Sequence, residues 1–227
     1  MTCKIITIDG PSGVGKGTVA SMVAEELGFN YLDSGSLYRS LALKLYEKNS
    51  NFNEVIDNLD YWISDISIDF QYETGSKAKI FVNNEDFTEK IRTEKVAELA
   101  SIIAKDKRAR DMLEVYQRKY LIEPGLVADG RDMGTKVFSK ADMKFYLTAS
   151  VEKRAERRLN QLKDQGISAN LPNLIQKLLL RDKADTERLI SPLMPAKDAI
   201  IIDTSDIDAL EVFNMTINII RENLKNI

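Results

Sequence analysis

The sequence predicts an α/β fold in which a five-stranded parallel sheet is flanked by helices on both faces. Five short apolar segments alternate with helical patterns, as is typical of parallel strands buried on both faces. A glycine-rich loop follows the first of these segments, as in proteins of the P-loop NTPase type. A segment of alternating apolar and polar residues near Ile66 interrupts the helical pattern, and it predicts a small antiparallel β insert.

The predicted elements follow one another along the chain with short connections. Core strands are expected at 5–8, 29–32, 125–129, 143–147 and 199–203. Helices are expected at 18–27, 36–48, 93–104, 107–121, 151–165, 171–189 and 207–224. Thr93 is expected to cap the third of these helices. The insert covers about 62–90, with an alternating strand at 66–72, a turn at 73–77 and a second strand at 79–82.

The glycine-rich loop has the composition of a phosphate-binding loop. Glycines allow successive backbone N–H groups to face one anion, and the N-terminus of the following helix adds partial positive charge. Lys16 would add a full charge at the β/γ end of a nucleotide, and the hydroxyl of Thr18 could bind a magnesium ion. The usual motif places Ser or Thr directly after the lysine, whereas Gly17 stands there. The alternative is a glycine turn that only joins strand to helix. The predicted ATP-binding residues are Gly10, Pro11, Ser12, Gly13, Val14, Gly15, Lys16, Gly17 and Thr18.

The composition excludes several other kinds of chemistry. The chain has 227 residues, one cysteine, no histidine and a net charge of −3. Histidine general-base catalysis is therefore excluded, whereas phosphoryl transfer depends mainly on positioning and charge stabilisation. Nothing in the charge balance indicates a nucleic-acid or membrane partner, and no apolar run approaches membrane-spanning length. We expect a cytoplasmic monomer.

Polar residues follow the second and third predicted strands. Parallel sheets bind ligands beyond the carboxyl ends of their strands, so these residues are expected to converge on one crevice. Any one of them taken alone is as well explained by helix capping or by surface exposure. Their convergence favours a functional site. The residues are Asp33, Ser34, Tyr38 and Arg39 after the second strand, and Asp129, Arg131 and Asp132 after the third.

Two later helices carry clustered arginines. Arg154, Arg157 and Arg158 share one helix, and Arg181, Asp182, Asp185 and Arg188 are assigned to the next. At these spacings the second group could form plain surface ion pairs. The arginines also flank a loop that could act as a lid, and closure of a kinase lid brings cations to the transferring phosphoryl group.

Several longer segments resemble those of the bacterial cytidylate kinase (CMP kinase) family. The matching segments are 9–18, 32–39, 91–101, 128–135, 181–188 and 191–193. The resemblance implies one kinase domain over 1–227, with a core at 1–35, 122–150 and 192–227. It also implies a monophosphate-binding region with the β insert at about 36–121 and a lid at about 151–191. The implied reaction is phosphorylation of CMP and dCMP by ATP and Mg²⁺.

The resemblance also implies a role for each matching residue. Ser101, Arg110 and Asp132 would contact the base. Arg39, Arg131 and Arg188 would hold the acceptor phosphate. Arg181 and Asp185 would hold the sugar, with Ser34 and Tyr38 nearby. Lys16, Arg131, Arg154, Arg157 and Arg158 would act on the transferring phosphoryl group, and Thr18 and Asp33 would position magnesium, directly or through water. Two alternatives stay open: a related kinase acting on UMP, shikimate or dephospho-coenzyme A, or a nucleotide switch that transfers no phosphate.

Overall fold

The computed structural model describes residues 3–71, 79–164 and 166–224. They fall into two compact units. The larger unit contains the described residues up to Asp33 and those from Lys119 onward, and the smaller unit is Ser34–Arg118. Tyr72 and the turn predicted at 73–77 lie outside the described residues.

The strands lie close to the predicted segments, except for β5, for which no strand was predicted. They are β1 (Lys4–Asp9), β2 (Asn30–Asp33), β3 (Ile68–Gln71), β4 (Lys79–Val82), β5 (Glu85–Asp86), β6 (Gly125–Gly130), β7 (Met143–Thr148) and β8 (Ile200–Asp203). The helices are α1 (Lys16–Leu27), α2 (Ser34–Lys48), α3 (Phe52–Asp57), α4 (Leu59–Ile63), α5 (Glu94–Ile103), α6 (Lys107–Lys119), α7 (Val151–Asp164), α8 (Leu171–Thr186) and α9 (Ala209–Asn223). A 3₁₀ turn at Lys90–Arg92 and a π-helical turn at Met133–Val137 complete the assignment.

The larger unit is built on a five-stranded sheet in the order β2-β6-β1-β7-β8. Every pairing in this sheet is parallel, which confirms the predicted fold class. Asp33 pairs with Asp129, and Asp9 pairs with both Gly130 and Tyr146. The carboxyl ends of β2, β6 and β1 are therefore level, and Asp33, Asp129 and Asp9 share one edge of the sheet.

Burial of the central strands holds this edge in place. Ile6 and Ile8 of β1 and Val127 of β6 are fully buried, in one cluster with Val23 of α1 and Ile220 of α9. Each such side chain contributes roughly 1.5–3 kcal/mol when it leaves water. The core therefore fixes the strand from which the phosphate-binding loop begins.

The last helix before β8 ends earlier than predicted. The prediction carried this helix to residue 189, whereas α8 ends at Thr186. The N–H of Leu193 donates to the carbonyl of Asp185 at 2.8 Å, and Ser191 has a positive φ of 50°, so the chain turns back toward the helix. Arg188 consequently lies in this return loop rather than on α8.

The smaller unit contains the predicted antiparallel insert. Its sheet has the order β3-β4-β5, and both pairings are antiparallel. Asn83 and Asn84 connect β4 to β5 with φ values of 48° and 65°, as a two-residue hairpin turn requires. Thr93 caps α5 as predicted, because its side chain accepts a hydrogen bond from the N–H of Val96. The polar stretch that follows α2 forms the short helices α3 and α4.

No helix within the described ranges is both long enough and apolar enough to cross a membrane.

Candidate active site

The loop between β1 and α1 has the backbone of a phosphate-binding loop. Gly13 and Gly15 have φ values of 78° and 96°, a region that side chains other than glycine rarely adopt. A Cβ on Gly10 would lie 2.2 Å from the carbonyl oxygen of Leu147 on the neighbouring strand. Only glycine at position 10 lets β1 turn into the loop beside β7.

The unusual Gly17 makes room for a buried carboxylate. A Cβ at this position would lie 3.2 Å from Oδ2 of Asp129 and 3.5 Å from the hydroxyl of Tyr31. That hydroxyl also donates to Oδ2 of Asp129 at 3.1 Å. The departure from the usual motif therefore has a local cause, since the side chain at the end of β6 packs against the start of α1.

Lys16 is buried inside the loop. Its Nζ donates to the carbonyl of Pro11 at 2.8 Å, and only 7% of the residue is exposed. Burial lowers the pKa of Lys16, and the nearby Arg131 lowers it further, whereas Asp129 and Asp9 act in the opposite direction. An anion in the loop would favour the charged lysine.

The carboxylates at the ends of β2 and β6 are suited to a divalent cation bound with a nucleotide. Burial raises the pKa of Asp129 to about 7, and the adjacent Asp33 contributes to the rise because two neighbouring carboxyl groups resist ionising together. Thr18 is exposed in the first turn of α1. Among residues 3–71, 79–164 and 166–224, no group of three or more Asp, Glu, Cys or His side chains is arranged to hold a metal. Mg²⁺ at kinase sites commonly takes one or two carboxylates together with phosphate oxygens, so the donors present fit this ion.

A buried ion pair joins α8 to the segment after β6. Nε of Arg131 donates to Oδ2 of Asp185 at 3.0 Å, and the two side chains are 20% and 8% exposed. Burial acts to raise the pKa of Asp185, but Arg131 and Arg181 outweigh it and the net shift is downward. Asp185 is therefore a buried member of an ion pair with a residue that is distant in sequence.

Asp132 and Arg188 form a second buried pair in the same unit. Nη2 of Arg188 lies 3.9 Å from Oδ1 of Asp132, and both side chains are almost fully buried. Nε of Arg188 also donates to the carbonyl of Ser191 at 2.5 Å. The two pairs bring Arg131, Asp132, Asp185 and Arg188 together, and Arg181 is near enough to affect the pKa of Asp185. That these residues bind a substrate stays a prediction.

Two of the three arginines on α7 contact the phosphate-binding loop itself. Arg154 is buried, donates to the carbonyl of Ser12 at 3.1 Å and pairs with Asp182 at 2.6 Å. Arg157 donates to the carbonyl of Val14 at 3.3 Å. Arg158 donates to Oε1 of Gln161 on its own helix at 3.1 Å. Their role at a transferring phosphoryl group stays a prediction.

In the smaller unit, the predicted substrate residues lie on α2, α5 and α6. Arg110 is buried, donates to the carbonyl of Ala104 at 3.1 Å and lies 5.6 Å from the ring centre of Tyr38. Nε of Arg39 donates to the carbonyl of Gly35 at 3.3 Å. Ser101 is half-buried on α5.

Ser34 has a partner that the sequence analysis missed. Nε2 of Gln117 donates to Oγ of Ser34 at 2.9 Å, and both side chains are buried. Gln117 is two helical turns after Arg110 on α6, so helical periodicity would have placed both residues on one face.

Thr204 and Asp9 were also missed. The hydroxyl of Thr204 donates to the carbonyl of Val14 at 3.2 Å and accepts from Arg157 at 3.1 Å. Asp9, at the end of β1, accepts hydrogen bonds from the N–H groups of Met133 and Gly134. The available signal for Asp9 was a carboxylate that directly follows a buried apolar strand.

A glycine loop of this geometry, at the carboxyl edge of a parallel sheet with buried arginines beside it, defines a P-loop kinase fold. The chain has the same fold as the crystal structure of TT1252 from Thermus thermophilus, with a TM-score of 0.50 and 16% identity over 100% of both chains.

Sequence comparison assigns the family. The family model for cytidylate kinase matches residues 6–222, and the chain belongs to the cytidylate kinase family. It is 46% identical to the cytidylate kinase of Colwellia psychrerythraea over 92% of each chain. It is 45% identical to that of Acinetobacter baylyi over 99% of this chain and 100% of the relative.

Proposed function

We propose that this protein transfers the γ-phosphoryl group of ATP to CMP and to dCMP, giving ADP and the cytidine diphosphate. Membership of the cytidylate kinase family supports the reaction and the acceptor. The observation that carries the proposal is the buried cluster of Arg131, Asp132, Asp185 and Arg188 in the unit that holds the phosphate-binding loop.

The reaction needs no proton-abstracting side chain. An oxygen of the CMP phosphate is already anionic at neutral pH, and it forms the new bond to the γ-phosphorus. The bond from that phosphorus to the β–γ bridging oxygen breaks, and the electron pair leaves with ADP. Catalysis is therefore left to positioning and to stabilisation of charge on the transferring group, which suits a chain without histidine.

On the donor side, the loop N–H groups at Gly13–Lys16 would bind the β- and γ-phosphates. Lys16 would leave its hydrogen bond with Pro11 and donate to the transferring group. Mg²⁺ would neutralise phosphate charge when bound, and Thr18 and Asp33 would hold it directly or through water. Arg154 and Arg157 would fix the loop through its carbonyls while Arg158 completes the charge around the phosphates.

On the acceptor side, Arg39, Arg131 and Arg188 would bind the CMP phosphate. Arg181, Asp185 and Ser34 would bind the sugar beside Tyr38. Buried ion pairs already hold Arg131 and Arg188, so little side-chain ordering would be needed when the phosphate arrives.

Discrimination of the base would depend on Asp132, Arg110 and Ser101. A carboxylate accepts from the N4 amino group of cytosine, and an arginine donates to O2 and N3. Uracil would place O4 against the carboxylate and leave buried polar groups mismatched. Such a mismatch can reduce catalytic efficiency by ~10²–10⁵-fold.

We further infer that the smaller unit is the monophosphate-binding region and that α7 and α8 with their connection form the lid. We propose that the protein acts as a cytoplasmic monomer.

An acceptor panel tests the function. ADP release would be measured by a coupled assay with Mg·ATP and CMP, dCMP, UMP, shikimate or dephospho-coenzyme A. The proposal predicts rapid ADP release with CMP and dCMP only. Turnover with another acceptor in preference to CMP would contradict it, and so would ADP release that needs no acceptor.

A further inference from the structure

The last residue of β1 is a buried carboxylate that binds a distant segment. Asp9 is 4% exposed and directly precedes Gly10 of the phosphate-binding loop. Its Oδ1 accepts from the N–H of Met133 at 2.9 Å, and its Oδ2 accepts from the N–H of Gly134 at 2.7 Å. Both carboxylate oxygens are therefore used by consecutive backbone donors.

Keeping a carboxylate here is costly for folding. Burial raises the pKa of Asp9 to about 6, while the hydrogen bonds from Gly134 and Met133 act to lower it. Burying a charged group costs free energy of folding unless hydrogen bonds or opposite charges compensate for the lost water. Asparagine has nearly the same shape, but its amide NH₂ would face one of the two N–H donors. The two donors therefore require a carboxylate.

The segment bound by Asp9 carries two of the predicted CMP-binding residues. Met133 and Gly134 begin the π-helical turn and directly follow Arg131 and Asp132. The turn packs closely on β1, because a Cβ on Gly134 would lie 2.7 Å from the hydroxyl of Thr7. Later in the same turn, the N–H groups of Lys136 and Val137 donate back to the carbonyl of Asp132. The backbone after Arg131 and Asp132 is thus held by Asp9 through Met133 and Gly134, and by the hydrogen bonds within the turn.

We propose that Asp9 is a positioning residue that ties the phosphate-binding loop to the Arg131–Asp132 segment. The carboxylate sets the spacing between the residue that begins the loop and the side chains that bind CMP. In-line transfer depends on that spacing, because displacement of a reacting group by about 1 Å can reduce the rate about 100-fold. This inference rests on the proposed function for the identity of the substrate.

The test compares Asp9→Asn with a matched control on the same strand. Asp142 is also a carboxylate that accepts a backbone N–H from β1, that of Ile5 at 2.9 Å, but at the opposite end of the strand. Steady-state kinetics would be measured for wild type, Asp9→Asn and Asp142→Asn. We expect Asp9→Asn to lower kcat/KM for CMP by about 10- to 100-fold, with the Kd for ATP changed by less than about threefold. Asp142→Asn should stay within about twofold of wild type.

A purely structural role for Asp9 would give a different pattern. Asp9→Asn would then lower the melting temperature but leave kcat and the KM for CMP of the folded enzyme unchanged, and that outcome would overturn the proposal. If Asp9→Asn does not fold, hydrogen exchange of the wild-type protein decides. If Asp9 holds this segment, the Met133 and Gly134 amides should exchange as slowly as the amides of β1. Exchange at the rate of surface loops would contradict the proposed role of Asp9.

Failure of the proposed function gives a separate result. In that case the wild-type protein produces no CDP, whereas the two amides are still protected.

Discussion

Lys16 is buried inside the phosphate-binding loop, where its Nζ donates to the carbonyl of Pro11. We predict that Lys16→Ala lowers kcat by ~10²-fold or more, because a donor to the transition state is lost. Lys4→Ala is the matched control, since Lys4 pairs with Asp142 at the other end of the same strand. Near-normal turnover of Lys16→Ala would contradict a catalytic role for Lys16.

In the smaller unit, a single hydrogen bond from Gln117 orients Ser34. Because its amide donates to Ser34, the hydroxyl hydrogen of Ser34 is left to donate to a bound nucleotide. We predict that Gln117→Leu raises the KM for CMP about tenfold, the effect of one lost or misdirected hydrogen bond, and leaves the KM for ATP unchanged. Arg118→Ala is the control, since Arg118 is exposed and pairs with Glu114. An unchanged KM for CMP would show that Ser34 needs no orienting partner.

At the scale of the elements, α9 depends on its N-terminal cap. The side chain of Asp208 accepts from the N–H groups of Leu210 and Glu211, and the side chain of Glu211 accepts from the N–H of Asp208. We predict that Asp208→Ala costs about 1 kcal/mol of unfolding free energy, measured by urea denaturation, without changing kcat. Asp206→Ala, an exposed carboxylate outside the cap, should have little effect. Equal losses from the two substitutions would contradict a specific role for the capping box.

The elements themselves were largely predictable from local pattern. The apolar run at Ile5–Ile8 predicted β1 because a strand buried on both faces needs consecutive apolar residues, and both Ile6 and Ile8 are fully buried. The return loop after α8 was not predictable, because it depends on Leu193 bonding to the carbonyl of Asp185. The π-helical turn after β6 depends on individual hydrogen bonds, and no hydrophobic periodicity in the sequence indicates them.

Membership of the candidate site stays a prediction from the sequence, whereas the pairing of its side chains is visible only in the structure. Strand order places the carboxyl ends of β1, β2 and β6 at one edge of the sheet, and that inference needed only the parallel topology. Asp185 pairs with Arg131, which is far away in sequence, and helical spacing could not indicate this partner. Asp9 was overlooked because its partners are backbone N–H groups, which no side-chain motif reveals.

For the whole molecule, buried charge links stability to pH. The ordinary carboxyl pKa is 3.8, and burial raises that of Asp9 to about 6 in the folded protein. The folded state therefore holds this proton more tightly. The stabilising contribution is complete below about pH 4 and is lost as the pH rises through 6. The pKa of Asp129 is raised as well, so its contribution to stability is also lost as the pH rises. The pKa of Asp185 is lowered, so the contribution of Asp185 to stability is lost only when the pH falls below its usual titration range.

We predict that Asp9→Asn reduces the loss of unfolding free energy between pH 4 and pH 7. The difference from wild type should be on the order of 2–3 kcal/mol, from a shift of about two pKa units. Urea denaturation of both proteins at the two pH values measures it. Parallel pH profiles for wild type and Asp9→Asn would contradict a raised pKa at this site.

The central claim is that the phosphate-binding loop and the buried arginine cluster together transfer a phosphoryl group to a cytosine nucleotide. The most direct measurement follows Mg·ATP mixed with CMP and a catalytic amount of protein by ³¹P NMR. We expect the CDP and ADP signals to grow together as ATP and CMP decline, and replacement of CMP with UMP to slow this conversion by ~10²-fold or more. Unchanged CMP, or ATP hydrolysed to ADP and free phosphate, would contradict it.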